Sequence, residues 1–428
     1  MGLRKLLAAT AVRRAHVLLL ELPGGGRERI AAERELGRRG WVLAVSPNDA
    51  DALLTCGPAP DPAEFGDLLD RLWDQLPGPR ARSHVHVGDD PAVALDGCAE
   101  ELLDVDLQTG REEARQVPGE NDPDDGVDHE HGGAAGDERD AMDHSEHGAG
   151  DADGDDGGGA GEDQEHMDMG GMDMGEMDMG NMDMDMPMPG GIPLAGGGPD
   201  RDGLEMDVLR VPLGPLLPLW PAGLVVECSL QGDLVVEATA RFLGASDSGT
   251  SRHRNRPPTA HDVVVHQTDL AARLLGLAGA DPAAARARAI RDAAADGASP
   301  RTCHGLLVDE LARLRRSVLL RRSLRGVGVI EGDEPTAALA HHEAGDPAGT
   351  DAWSRLLGML ETAATAIATG EVPVATAGGI SSTGASREDQ LVLLSALLPG
   401  CDLAEARLIV ASLDLDPLRV PAPDRVTA

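Results

Sequence analysis

HVLLLELPGGGRERIAAERELGRRGWVLAV, residues 16–45, decides how the first part of this chain folds. HVLLLEL reads as a strand, Arg27 to Arg38 carries helical periodicity, and WVLAV returns to strand. Outward from it, ALLTC (residues 52–56), an amphipathic helix from Pro62 to Gln75 and SHVHV (residues 83–87) continue the alternation. The helix after Asp61 is well signalled, with Asp at the cap, Pro at the first position and Glu64 at the third. Strand alternating with helix makes βαβ units. The expected class is therefore α/β, a small parallel, flavodoxin-like sheet covered by helices, over residues 1–120.

Residues 201–428 are written differently. LVVECSL and LVVEATA, separated by Gln231, Gly232 and Asp233, make a hairpin pattern. Helical spacing follows over Leu270 to Ala278, Ala283 to Ala295, Leu306 to Leu324, Trp353 to Ala368 and Arg387 to Leu398. A mainly α region with a small β-hairpin part is expected. Polar breaks at 245–258 and 341–349 read as loops.

Between the two lies a tract of another kind, residues 121–200, expected to be a disordered acidic linker. Residues 121–190 hold 11 of the 14 methionines, five of the 14 histidines, 23 carboxylates and a single arginine. Such a block buries too little apolar area to offset its conformational entropy. Its soft and imidazole donors are His129, His131, Met142, His144, His147, His166, Met167, Met169, Met172, Met174, Met177, Met179, Met182, Met184, Met186 and Met188. Thioethers with imidazole favour Cu(I) or Ag(I) over hard divalent ions, so these residues are the candidate metal ligands and Cu(I) the candidate cofactor. The alternating MDM units and AMDHSEH (Ala141 to His147) resemble the Met- and His-rich segments of bacterial copper-handling proteins. A purely acidic tether is the alternative.

The net charge of −37 opposes binding to a phosphate backbone, and no nucleic-acid partner is expected. Cys56, Cys98, Cys228, Cys303 and Cys401 are scattered and never form a CxxC pair, which argues against a disulfide framework and against a site built from cysteine alone. The opening apolar stretch is interrupted by Arg13 and Arg14, against a signal peptide, and no run approaches the roughly 20 residues of a transmembrane helix. The expected location is the cytoplasm, with peripheral attachment to the inner face of the cytoplasmic membrane as an extension.

WVLAVSPNDADALLTCGPAP, followed by a helix and LPGPRARSHVHVGDD, resembles the small cluster-bearing subunit of respiratory NADH-quinone oxidoreductases and membrane-bound nickel-iron hydrogenases. Ser46, Pro47, Ala50, Asp51, Leu53, Leu54, Gly57 and Pro58 match that family's "SPRHADVLLVTGPVT" phrase in order. The second half resembles the large partner subunit of the same complexes. Gly214, Pro215 and Pro218 with GLVVECSLQGDLVVEA, RSLRGVGVI (322–330), GTDAWSRLLGMLETAATAI and LLPGCDLAEARLIVASLDLDPLRV match its phrases in the right order, over about half its usual length. The resemblance implies a fusion of the two subunits, a [4Fe-4S] cluster in the small one, quinone or nickel chemistry in the large one, and membrane-bound oxidoreductase subunits as partners, with the two halves docked on each other.

The departures are at the chemistry. A [4Fe-4S] cluster takes four thiolates. The positions that the resemblance implies carry Gly24, Gly25 and Gly26, then Gly88, Asp89 and Asp90, then Glu120, and none is cysteine. Leu217 stands where the family places its quinone-site histidine, and both nickel-binding CxxC pairs are missing. No catalytic or cofactor-binding residue is therefore assigned, and whether the chain is an enzyme is left open. The expectation is an accessory or structural component with a degenerate cluster site. A copper-binding protein and an electron-transfer subunit with atypical ligands are the alternatives.

Other residues have plainer readings. The GGG run lacks the spacing of a phosphate loop, and Cys56 and Cys98 read as buried structural thiols. His84 and His86 share one strand face near Asp89 and Asp90, and His341 and His342 lie with Glu343 and Asp346. Both sets favour solvated histidines over a metal site. Glu310, Arg313, Arg316 and Arg321 suggest an ion-paired solvent face, opposite a core stripe of Leu307, Leu311, Leu314 and Val318. Asp414 and Asp416 read as the end of a strand.

Overall fold

The computed structural model describes residues 12–116, 196–199, 205–243, 258–330, 350–372 and 387–415. These belong to one compact unit, formed by Met1–Val117 together with Met188–Ala428. The candidate copper ligands from His129 to Met188 lie outside the described residues, as do Glu120, His341, His342, Glu343, Asp346 and Asp416.

The first half is α/β. Strands β1 (His16–Glu21), β2 (Val42–Leu43), β3 (Ala52–Cys56) and β4 (Ala81–Val85) form a parallel sheet in the order β2-β1-β3-β4. Helices α1 (Gly26–Arg39), α2 (Asp67–Gln75), α3 (Pro91–Leu103) and α4 (Val105–Gln116) accompany it. All five residues of β3 are buried, as a central strand covered on both faces requires. Val17, Leu54 and Val85 pack with Leu36 of α1 and Leu95, Cys98 and Leu102 of α3. Leu18, Leu20 and Leu53 pack with Phe65, Leu69 and Leu76 around α2. The expected cap of this last helix is present, since Asp61 accepts from the backbone N–H of Ala63 at 2.9 Å, and a π turn over Pro62–Gly66 precedes α2.

The second half is mainly helical beside an antiparallel sheet. That sheet has four strands, β5 (Gly196–Pro199), β6 (Glu205–Leu213), β7 (Leu224–Gln231) and β8 (Leu234–Phe242), in sequence order. The hairpin reading found β7 and β8 only. In β6, Pro212 removes a ladder donor and masks the strand pattern. The sheet packs on α10 (Arg387–Leu397) and α11 (Leu403–Ser412) through Val226, Leu230, Val235, Leu394 and Ile409. A second core joins α5 (Ala260–Leu277), α6 (Asp281–Ala295), α7 (Pro300–Arg316), α8 (Val318–Leu324) and α9 (Ala352–Thr369).

Three further expectations are corrected. Helix α5 begins ten residues before Leu270, because Thr259 and Asp262 form a reciprocal capping box. The helix expected over Leu306 to Leu324 is broken at Ser317, which adopts φ −79° and ψ 95°. The break re-phases the helix, so Leu320 and Leu324 are buried in place of Val318, which is 70% exposed. ARLIVASLDL is helix up to Ser412, and Asp414 is a β-bridge position just beyond that helix.

Candidate functional site

In an open sheet of order 2-1-3-4, ligands are received at the carboxyl ends of the strands, where the order reverses between β1 and β3. Here β1 ends at Glu21 and β3 at Cys56, and Leu22 N–H donates to the Cys56 carbonyl at 2.9 Å. The chain then turns tightly through the glycines into α1. A Cβ on Gly25 would stand 2.1 Å from the Cys56 carbonyl oxygen and 2.7 Å from Gly57 Cα. Gly25 is thus required by the close approach of the β3 backbone.

What fills the crevice is charge. Arg29, one turn into α1, donates Nε to Glu21 at 2.7 Å, Nη1 to Glu33 at 2.5 Å and Nη2 to Asp269 of α5 at 2.5 Å. Arg273 reaches Glu21 at 2.5 Å and Asp269 at 3.1 Å. Arg291 of α6, fully buried, bonds Glu33 at 2.6 Å and Asp269 at 2.8 Å. Three guanidinium groups and three carboxylates, drawn from both halves, thereby satisfy one another away from solvent. Burial alone would raise the Asp269 carboxyl, but the charges of Arg29, Arg273 and Arg291 hold it well below the usual carboxylate range. Glu33 is lowered in the same way, burial being overridden by Arg29 and Arg291. Apolar contact accompanies the network, since Leu216 of the second half enters the core of the first beside Leu18 and Leu53.

A [4Fe-4S] cluster does not fit this place. Of the positions that the resemblance nominates, the described ones carry no thiol, and a side chain at Gly25 would collide with backbone. The one thiol at the strand ends, Cys56, is fully buried, and burial pushes its pKa to about 12, so it stays a neutral thiol at neutral pH. Cys98 is buried likewise and also pushed to about 12 by burial. Both are buried, as expected.

His84 and His86 do not build a metal site. His84 Nδ1 lies 2.7 Å from Thr55 Oγ1 and Nε2 lies 3.1 Å from the Gly57 carbonyl, so both ring nitrogens are engaged within the fold. The His86 ring meets it edge-on at 4.3 Å, and Asp90 caps α3 by accepting from Ala92 N–H at 3.0 Å. No group of three or more His, Cys, Asp or Glu with metal-holding geometry occurs among the described residues. Leu217 packs on the core beneath the antiparallel sheet.

Two arrangements lay beyond sequence reasoning. His266 Nε2 sits 2.9 and 3.0 Å from the two oxygens of buried Asp414, and neighbouring Ser412 is committed elsewhere, donating to the Ile409 carbonyl and accepting from Arg355. The pair holds the imidazole against a buried carboxylate. The other is Glu310, which is fully buried and bonds Arg286 at 2.5 and 3.0 Å instead of lying on a solvent face.

Comparison of the chain with protein families, with curated proteins and with solved structures finds no match.

Proposed function

We propose that this chain is a fused, cluster-free counterpart of the small and large subunits of a membrane-bound NADH-quinone oxidoreductase or nickel-iron hydrogenase, acting as an accessory or structural component. The observation that carries this reading is the Arg29–Asp269 network. It occupies the ligand-receiving end of an α/β sheet with ion pairs from both halves and leaves no thiolate there. No helix among the described residues is long and apolar enough to cross a membrane. In this reading the chain associates peripherally, on the inner face of the cytoplasmic membrane. Anaerobic purification followed by iron and acid-labile sulfide analysis tests the reading. Both should be absent, whereas values near about four per chain would establish an electron-transfer subunit with atypical ligands. Co-purification with membrane subunits of such a complex tests the accessory role.

The concentration of 11 of 14 methionines in residues 121–190 favours a second reading, soft-metal binding by the central tract. Cu(I) titration of the whole chain against a variant lacking Asp122–Pro189 decides it. Copper bound only by the whole chain supports it, and no uptake by the whole chain ends it.

A further inference from the structure

In a chain of net charge −37, residues 311–330 contain no carboxylate and six arginines, Arg313, Arg315, Arg316, Arg321, Arg322 and Arg325, all exposed. Arg313 lies 3.6 Å from Glu310 and Arg315 lies 2.5 Å from Glu361. The other four have no ion-pair partner among the described residues, although the sequence spacing suggested that Arg316 and Arg321 would have one. Where carboxylates outnumber basic groups two to one, four unpaired guanidinium groups in one corner call for an anionic partner outside the described fold.

The corner has a second property. Helix α7 stops at Arg316, the chain turns at Ser317, and α8 restarts at Val318. Buried Leu314, Leu320 and Leu324 pin the turn to the helical core, which fixes Val318 and Leu319 pointing outward at 70% and 80% exposure. Two adjacent large apolar side chains held in water and flanked on both sides by arginine have the composition of an interfacial anchor. Apolar groups enter the boundary between headgroups and acyl chains, and basic groups with flexible apolar stems pair with phosphates at the same depth. A polynucleotide would use the arginines and leave Val318 and Leu319 unsatisfied.

We propose that the α7–α8 corner docks on an anionic phospholipid surface, with Arg316, Arg321, Arg322 and Arg325 meeting headgroup phosphates and Val318 and Leu319 inserting between them. The acidic remainder of the chain opposes approach to an anionic bilayer, but that repulsion is screened beyond a Debye length of about 10 Å, while groups in contact are not. Contact would therefore be confined to this corner, orienting the molecule. The choice of a lipid partner rests on the peripheral-membrane reading above, and the place of contact rests on the corner itself.

The full chain is sedimented with vesicles of phosphatidylcholine alone and of phosphatidylcholine mixed with phosphatidylglycerol. Binding is expected only to the mixed vesicles and should be lost at about 0.5 M salt, where screening is short-ranged. Replacing arginine by glutamine at 321, 322 and 325 should weaken it by about fivefold per residue. L319S together with V318S should weaken it by at least about tenfold. All five side chains are exposed, so the thermal midpoint should not move, and that measurement separates lost docking from lost folding. Absence of binding to mixed vesicles, binding indifferent to these substitutions, or self-association through the same residues without lipid would overturn the proposal. Iron and sulfide content and co-purification are read independently, so failure on vesicles leaves the accessory reading standing.

Discussion

Arg29 and Asp269 are 240 residues apart in sequence and 2.5 Å apart in space, and neither is more than 9% exposed at its side chain. The pair joins the first helix of the α/β half to the first helix of the bundle, and the carboxylates of Glu21 and Glu33 and the guanidinium groups of Arg273 and Arg291 complete its shell. Asp269 is the hub, since all three arginines donate to it.

Removing the hub carboxylate leaves two buried cations, Arg29 and Arg291, and the half-buried Arg273 short of a partner. D269N should destabilise the whole unit by about 3–5 kcal/mol, read from the urea midpoint. R34A, which breaks the exposed pair with Asp296 across the same two halves, should cost less than about 1 kcal/mol. Equal effects would contradict the burial argument.

The network also fixes a pH dependence. Asp269 and Glu33 have native pKa values below their ordinary 3.8 and 4.5, so the stability they contribute is fully present above those values. It is lost as pH falls below them through the depressed native values. Urea midpoints should hardly respond to these groups between about pH 7 and pH 5 and should fall steeply below about pH 4, and the fall should be shallower in D269N.

Gly25 and Gly37 should respond oppositely to alanine. At Gly25 the new Cβ meets the Cys56 carbonyl oxygen at 2.1 Å, a backbone atom that cannot swing aside, and a cost of at least about 1–3 kcal/mol is expected. At Gly37, inside α1 and exposed, nothing lies within 4 Å, and alanine should stabilise by about 0.5–1 kcal/mol through helix propensity. Thermal melts of the two variants check both signs.

Because the two halves share one compact unit, the covalent link between them is not what holds them together. Proteolytic cleavage between residues 118 and 187 should leave two fragments that co-elute in gel filtration and separate only in denaturant. Separate elution under native conditions would show that the buried network is too weak to act alone.

Sequence by itself determined the α/β class of the first half, the helical character of the second and the capped helix after Asp61, because these follow from local periodicity and capping chemistry within a few residues. It also located the tract of soft donors, which is a matter of composition. It could pair Arg29 with Glu33 at helical spacing, but could not supply Asp269, Arg273 or Arg291, because ion pairs across hundreds of residues leave no periodic trace. The re-phasing at Ser317 was hidden as well. Each side of the turn keeps an apolar stripe, and only packing decides that Leu320 goes in and Val318 and Leu319 stay out. Tertiary structure alone decided that the strand ends are closed by charge from both halves, since burying a charge is tolerated only where the fold brings its partners to it.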